Sequence, residues 1–259
     1  MAGRSDPRSL IDGIERLIQV DVGRNIGALF EASRGGLWEA ASALESAHPG
    51  RVGLITGFYV PQGSPPAAET DGPVGAALLA KGFEAIGIPC RVATDEPCRS
   101  ACAAALAGAG APGVPVDAVA ISAPLDPLIG TWRGAGITHA ISIERCGRSA
   151  DGAPRNMRGQ DISSYTTPLD DLFVAGVSNW GAYALIGALA ALRDDWRRTL
   201  LSCLDETLDR AVLEAMIEQG PAVDGVSRLP TPTVDNLDIA THHHILRTIR
   251  TLVEQEHAI

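Results

Sequence analysis

The chain has 259 residues, 46% of them hydrophobic and 20% charged, with aromatic residues at only 4%, so it carries enough apolar material to bury a substantial core. Its formal charge of −10 at pH 7 works against non-specific attraction to nucleic acid or to an anionic membrane surface, and neither is an expected partner. The five cysteines, Cys90, Cys98, Cys102, Cys146 and Cys203, form an odd set without a CxxC pair; they read as small buried residues of a reducing, cytoplasmic compartment and not as a disulfide framework or a zinc site.

The N-terminal segment carries acids from Asp6 onward and has no continuous apolar stretch, which sets it apart from a secretory signal. Leu10, Ile11, Ile14, Leu17 and Ile18 recur at helical spacing behind Asp6-Pro7, and the first 48 residues are expected to be helical. Beyond "HPG", "RVGLITGF" predicts a short apolar strand, "YVPQGSPPAAETDGP" a Pro/Gly-rich loop, and "VGAALLAKGFEAIG" a helix. "IPCRVATDE" predicts a strand and "CRSACAAALAGAG" a helix; "VDAVAISA", "ITHAISIE" and "LFVAGVSN" are three further strands, the last leading into a helix near Trp180. Residues 194–259 read as mostly helical, interrupted by "GPAVDGVSRLPTPTVDNLD".

Strands that are nearly continuous apolar runs, alternating with helices, predict an α/β fold: a mostly parallel sheet with helices on both faces, three-layered and Rossmann-like, with helical additions at both ends. The whole chain, 1–259, is read as one such domain. Residues 174–192 hold no charge over 19 positions and meet the bare length rule for a membrane span. The β-branched opening, the polar pair Ser178-Asn179 and Gly181 fit better with a buried strand running into a buried helix.

In parallel sheets functional groups gather at the carboxyl ends of the strands. Three polar clusters fall there: Glu69-Thr70-Asp71-Gly72-Pro73, Glu144-Arg145 with the loop behind them, and Ser178-Asn179. In the first, Asp71 or Thr70 suits a helix cap and Pro73 the first turn, and the helix N-terminus would suit an anion. Glu144 and Arg145 end an apolar strand, where a charge is costly unless paired or used. His242-His243-His244 is not expected to hold a metal, because consecutive helical side chains project roughly 100° apart. GxGxxG, GxxxxGK[ST] and GxSxG are absent, which weakens dinucleotide, nucleotide and serine-hydrolase readings.

The blocks "LITGF", "ETDGPVGAALLAKGFEAIG", "ISIERCGRSADGAPRNMRGQDIS", "PLDDLF", "VAGVSNWGAYAL" and "VDGVS" followed by "TVDNLDIATHH" resemble, in this order, the D-glutamate cyclase-like family. The chain departs from the family pattern in two places. Phe173 runs directly into Val174, where the family carries a GDGGNE-type segment, and Asn236 stands where the family places glycine.

The resemblance implies cyclisation of D-glutamate to 5-oxo-D-proline with loss of water, a hydro-lyase reaction. For that chemistry Glu144 and Asp71 are the expected acid/base pair, and Arg145 or Arg158 the anchor of the α-carboxylate. Ser178, Asn179 and the N–H groups behind Asp71 are the expected oxyanion donors. Thr56, Glu69, Thr70, Asp151, Asn156 and Asp161 complete the expected substrate-binding set. No metal ligand is assigned; a divalent cation, Mg²⁺ or Mn²⁺, stays open as an addition, as does self-association of the chain. The partner is a small carboxylate. Two other readings stand beside this one: a binder of an amino acid or related acid that does not turn it over, and a different lyase or hydrolase acting on a small acid.

Overall fold

The computed structural model describes residues 6–23, 25–147, 149–167 and 178–256. Helix α1, Pro7–Ile18, starts where Asp6 accepts the Arg8 N–H and Pro7 takes a position that needs no donor. It buries Ile11, Ile14 and Ile18. Helices α2 (Gly27–Ala32) and α3 (Gly36–Ser46) follow. The buried Glu15 of α1 accepts the N–H groups of Gly35 and Leu37 at 2.7 and 2.9 Å, placing its charge at the N-terminus of α3.

Next come β1 (Val52–Thr56), β2 (Tyr59–Val60), β3 (Ala67–Glu69), α4 (Pro73–Ala85), β4 (Cys90–Asp95), α5 (Arg99–Gly108), β5 (Val116–Val119), α6 (Asp126–Gly134) and β6 (His139–Ile143). Beyond these lie α7 (Ser178–Leu192), α8 (Asp194–Leu201), α9 (Glu206–Gln219), β7 (Ala222–Val223), β8 (Thr233–Val234), β9 (Leu237–Asp238) and α10 (Ile239–Gln255). The main sheet has the order β5-β4-β1-β6 and every pairing in it is parallel, which is the expected α/β architecture.

Its two faces are unequal. Val52, Leu54, Val92 and Ile141 belong to the main core together with α4, α5 and α7, and behind these lie α1, α3, α8, α9 and α10. The opposite face presents Gly53, Arg91 and Asp117 and is covered by α6. The Arg91 guanidinium grips Asp117 with two bonds of 2.8 and 2.7 Å, and the Trp132 indole N–H donates to the same carboxylate at 2.9 Å. Gly53 admits that indole: a Cβ there would lie 2.2 Å from Trp132 Cζ3. Helix α6 itself buries no residue fully.

Three expectations are revised, and one helix is an addition. The stretch foreseen as a loop after "LITGF" contains β2 and β3, which join β7 in a second sheet of order β2-β3-β7; such two- and three-residue strands are too short to show a period. The interruption at 220–238 likewise holds β7, β8 and β9. Helix α6 had no expectation attached, since Pro124, Pro127 and its glycines mask it. Of the strand expected over "LFVAGVSN", residues 172–177 lie outside the described residues, and Ser178 and Asn179 are already helical.

Residues 178–192 of the uncharged run form α7, whose residues are almost all buried and which packs against α1, α3, α4, α8 and α10. Among the described residues no helix is long and apolar enough to cross a membrane. All five cysteines are free thiols; Cys90, Cys98, Cys102 and Cys203 are buried and Cys146 is half-buried.

Candidate active site

The N-termini of α4 and α7 meet at the carboxyl end of β1, and each caps the other. Asp71, next to the start of α4, accepts the backbone N–H of Asn179 at 3.1 Å and of Ser178 at 3.3 Å, the first two of α7. Asn179 in turn accepts the N–H groups of Gly72 and Gly75 through its Oδ1, at 3.1 and 2.8 Å. The cap expected of Asp71 or Thr70 on α4 is therefore supplied from α7, and Asp71 serves the opposite helix. The same bonds occupy donors that were expected to receive an anion. Gly72 adopts φ +90° and must be glycine, because a Cβ would lie 2.6 Å from both Glu144 Cβ and Thr56 Oγ1.

In front of this junction lies a cavity of about 160 Å³, bordered by Tyr59, Glu69, Glu144, Tyr165, Arg228 and Asp235 among others. That is smaller than the roughly 300–1,000 Å³ of sites for drug-sized molecules and suits a small metabolite. The long loop behind Glu144 forms one wall. It is closed on itself by Ile162 N–H donating to Pro154 O at 3.0 Å, and on the small sheet by Tyr165 packing edgewise against Tyr59 at 6.3 Å. The other wall comes from the segment between β7 and β9. Its organiser is the buried Asp224, which accepts the N–H groups of Val226, Ser227 and Asn236 at 2.9, 2.6 and 2.8 Å.

The floor is acidic. Glu69 is buried beside Glu144, and a Cβ on Gly225 would lie 1.8 Å from Glu69 Oε2, so only a glycine lets that backbone approach. Burial pushes the Glu69 carboxyl well above the carboxylate range, and the charges of Glu144, Asp71 and Asp235, with a hydrogen bond to Glu144, push it further. Burial, then Glu144, also raises Asp71, to about 7, against the pull of the N–H groups it accepts. A Glu69 carboxyl raised in this way beside Glu144 is the pattern of an acid and a base kept apart by their surroundings.

Backbone strain collects in the same place. Glu144, Arg228 and Asp235, all bordering the cavity, have φ of +51°, +63° and +56°, a region that side chains other than glycine avoid. Asn236 takes φ +59°, the left-handed conformation that glycine would also adopt there.

The expected site residues divide into three groups. Glu69, Glu144, Asn156 and Arg158 border the cavity, although the Asn156 side chain is spent within its own turn, on the N–H groups of Arg158 and Gln160 and on the Gln160 side chain. Asp71, Thr56, Ser178 and Asn179 lie behind the cavity. Among the described residues the Thr56 hydroxyl and the Asn179 Nδ2 are buried without a hydrogen-bond partner, while the Ser178 side chain lies against the Asp71 carboxyl, whose charged form it favours. The remaining residues sit elsewhere. Arg145 turns inward: its guanidinium is fully buried, bonded to Asp95 at 2.6 Å and to the carbonyls of Gly57 and Thr167. It clamps the strand ends and does not reach the cavity, which corrects its role as substrate anchor. Thr70 donates to Thr233 O at 2.9 Å, tying β3 to β8. Asp151 and Asp161 are exposed and shape the loop, the first through Arg155 and Ser149, the second through Ser163.

Arg228, Asp235 and Gly225 were missed. They fall in the "VDGVSRLPTPTVDN" stretch, where Asp, Gly and Pro between two helices were the available signal of a functional loop. Among the described residues no group of three or more His, Cys, Asp or Glu side chains is placed to hold a metal ion. Of the consecutive histidines, His242 accepts the Trp180 indole N–H at 3.0 Å, His243 lies 3.4 Å from both Glu206 and Asp209, and His244 is exposed.

A parallel sheet flanked by helices, with acidic residues gathered at its strand ends, defines the class as a three-layer α/β protein. The chain belongs to the family described as D-glutamate cyclase-like, C-terminal, whose model matches residues 14–176 and 172–250. The two matched pieces meet where Phe173 runs into Val174. The chain is also similar to the mitochondrial D-glutamate cyclase of Homo sapiens, 28% identical over 192 residues that cover 65% of this chain and 29% of that protein. It thus spans less than a third of the length of that relative.

Proposed function

We propose that the protein is a lyase that closes D-glutamate to 5-oxo-D-proline and water, by the chemistry its relative's name describes. The observation that carries this reading is the buried Glu69 beside the half-buried Glu144 at the floor of a metabolite-sized cavity. Ring closure joins the substrate's own amine to its own side-chain carboxyl, so holding a folded conformer supplies much of the rate. The C–N bond forms, one carboxyl oxygen leaves, and the two protons given up by the ammonium depart with that oxygen as water. Glu144 takes a proton from the ammonium and Glu69, whose carboxyl is pushed upward by burial and then by its acidic neighbours, delivers one to the leaving oxygen; Asp71 stands behind them as a third acid.

The test is to incubate purified protein with D- or L-glutamate, with and without Mg²⁺ or Mn²⁺, and to follow 5-oxoproline. Product from the D-isomer is expected, with a loss of about a hundredfold or more in kcat for Glu144→Gln. Full turnover by that variant would overturn the acid/base roles, and no product under any condition would overturn the reaction.

A further inference from the structure

We propose that Arg228 is the specificity-determining contact for the substrate's α-carboxylate, so that the site selects amino acids whose α-carboxylate is free. This rests on the cyclase reading above. If amine and side-chain carboxyl must both meet the Glu69–Glu144 pair, the α-carboxylate has to point to the opposite side of the cavity. Among the described residues the cations bordering the cavity are Arg158 and Arg228, and neither guanidinium has an ion-pair partner among those residues.

Two features single out Arg228. Its backbone is fixed from both sides, with its N–H donating to Asp224 O at 2.8 Å and its carbonyl accepting the Ser64 N–H at 3.0 Å. Its φ of +63° is one at which glycine would be relaxed. The chain thus keeps a long cationic side chain, half-buried at the cavity, in a conformation that disfavours any side chain. Retained strain of this kind marks a side chain kept for use and not for stability. Arg158, by contrast, is exposed on the turn that Asn156 organises. A guanidinium gives a carboxylate two parallel charge-assisted bonds and has no acceptor for an amide nitrogen. It therefore discriminates between an α-carboxylate and an α-carboxamide.

The experiment is calorimetric binding of D-glutamate, D-glutamine and D-isoglutamine to the wild type, Arg228→Gly and Arg228→Lys, with thermal unfolding of each. The wild type should bind D-glutamine, which keeps the α-carboxylate, about tenfold or more tighter than D-isoglutamine, which lacks it. Arg228→Gly should erase that preference while its unfolding midpoint stays at or above the wild type's. Arg228→Lys should keep a weakened preference. Equal binding of the two amides by the wild type, no binding of any of the three, or an unchanged preference in Arg228→Gly overturns the proposal. If the glycine variant unfolds earlier, the lysine variant decides: full wild-type preference there overturns it too. Product formed at the wild-type rate by Arg228→Gly sinks this inference and leaves the cyclase reading standing. A preference that depends on Arg228 without any product does the reverse.

Discussion

Asp71 holds a proton at a pH where an exposed aspartate has lost it, because burial penalises its charge and Glu144 adds a like charge nearby. Its folded value of about 7 lies above the roughly 3.9 of an unfolded chain. Between these values the native state binds more protons than the unfolded state, so the stability from this group is present at low pH and is lost as pH rises toward 7. Glu69 is shifted in the same direction. Asp71→Asn cannot ionise and retains an oxygen for the N–H groups of Gly72 and Asn179. Urea titrations of both proteins from about pH 4 to pH 7.5 should show a stability difference that moves in favour of the variant as pH rises. A difference that stays constant over this window would mean that Asp71 titrates normally.

At the scale of elements, the cross-capping of α4 and α7 shows what could and could not be read from the chain. Asn179→Ala removes both Asn179 bonds from the first turn of α4 and leaves the buried N–H of Gly75 without its acceptor, while the Gly72 N–H keeps Asp71 Oδ1 at 3.0 Å. The expected cost is about 1–3 kcal/mol in chemical denaturation; a change under about 0.5 kcal/mol would show that water replaces the cap. That two helices start at these positions was legible, because Pro73 and the apolar runs are local signals. Which acid or amide caps which helix was not, since Asp71 and Asn179 are distant in sequence and no spacing rule couples them. Arg145 illustrates the same limit: a charge at a strand end was correctly singled out, but whether it faces substrate or Asp95 depends on where β4 lies. Arg228 and Asp235 became visible only once β7 had joined β3 and carried the segment between β7 and β9 to the cavity.

Across the whole molecule, burial is distributed unevenly about the sheet. Helix α7 is enclosed by five other helices, whereas α6 has no fully buried residue and is fastened mainly by Trp132 over Gly53. In native-state hydrogen exchange the amides of α7 should open only with global unfolding, and those of α6 through a local event of lower free energy. Equal protection of the two helices would contradict this division. The mutual caps have a further consequence, for the order of assembly. Asp71 and Asn179 close a loop of more than a hundred residues, and closing such a span is slow and entropically unfavourable until other contacts have brought its ends together. Neither helix has a finished first turn until the other has arrived. The acids that need this junction therefore come into register late in folding, and the exchange of the Gly72 and Gly75 amides is a clock for that step.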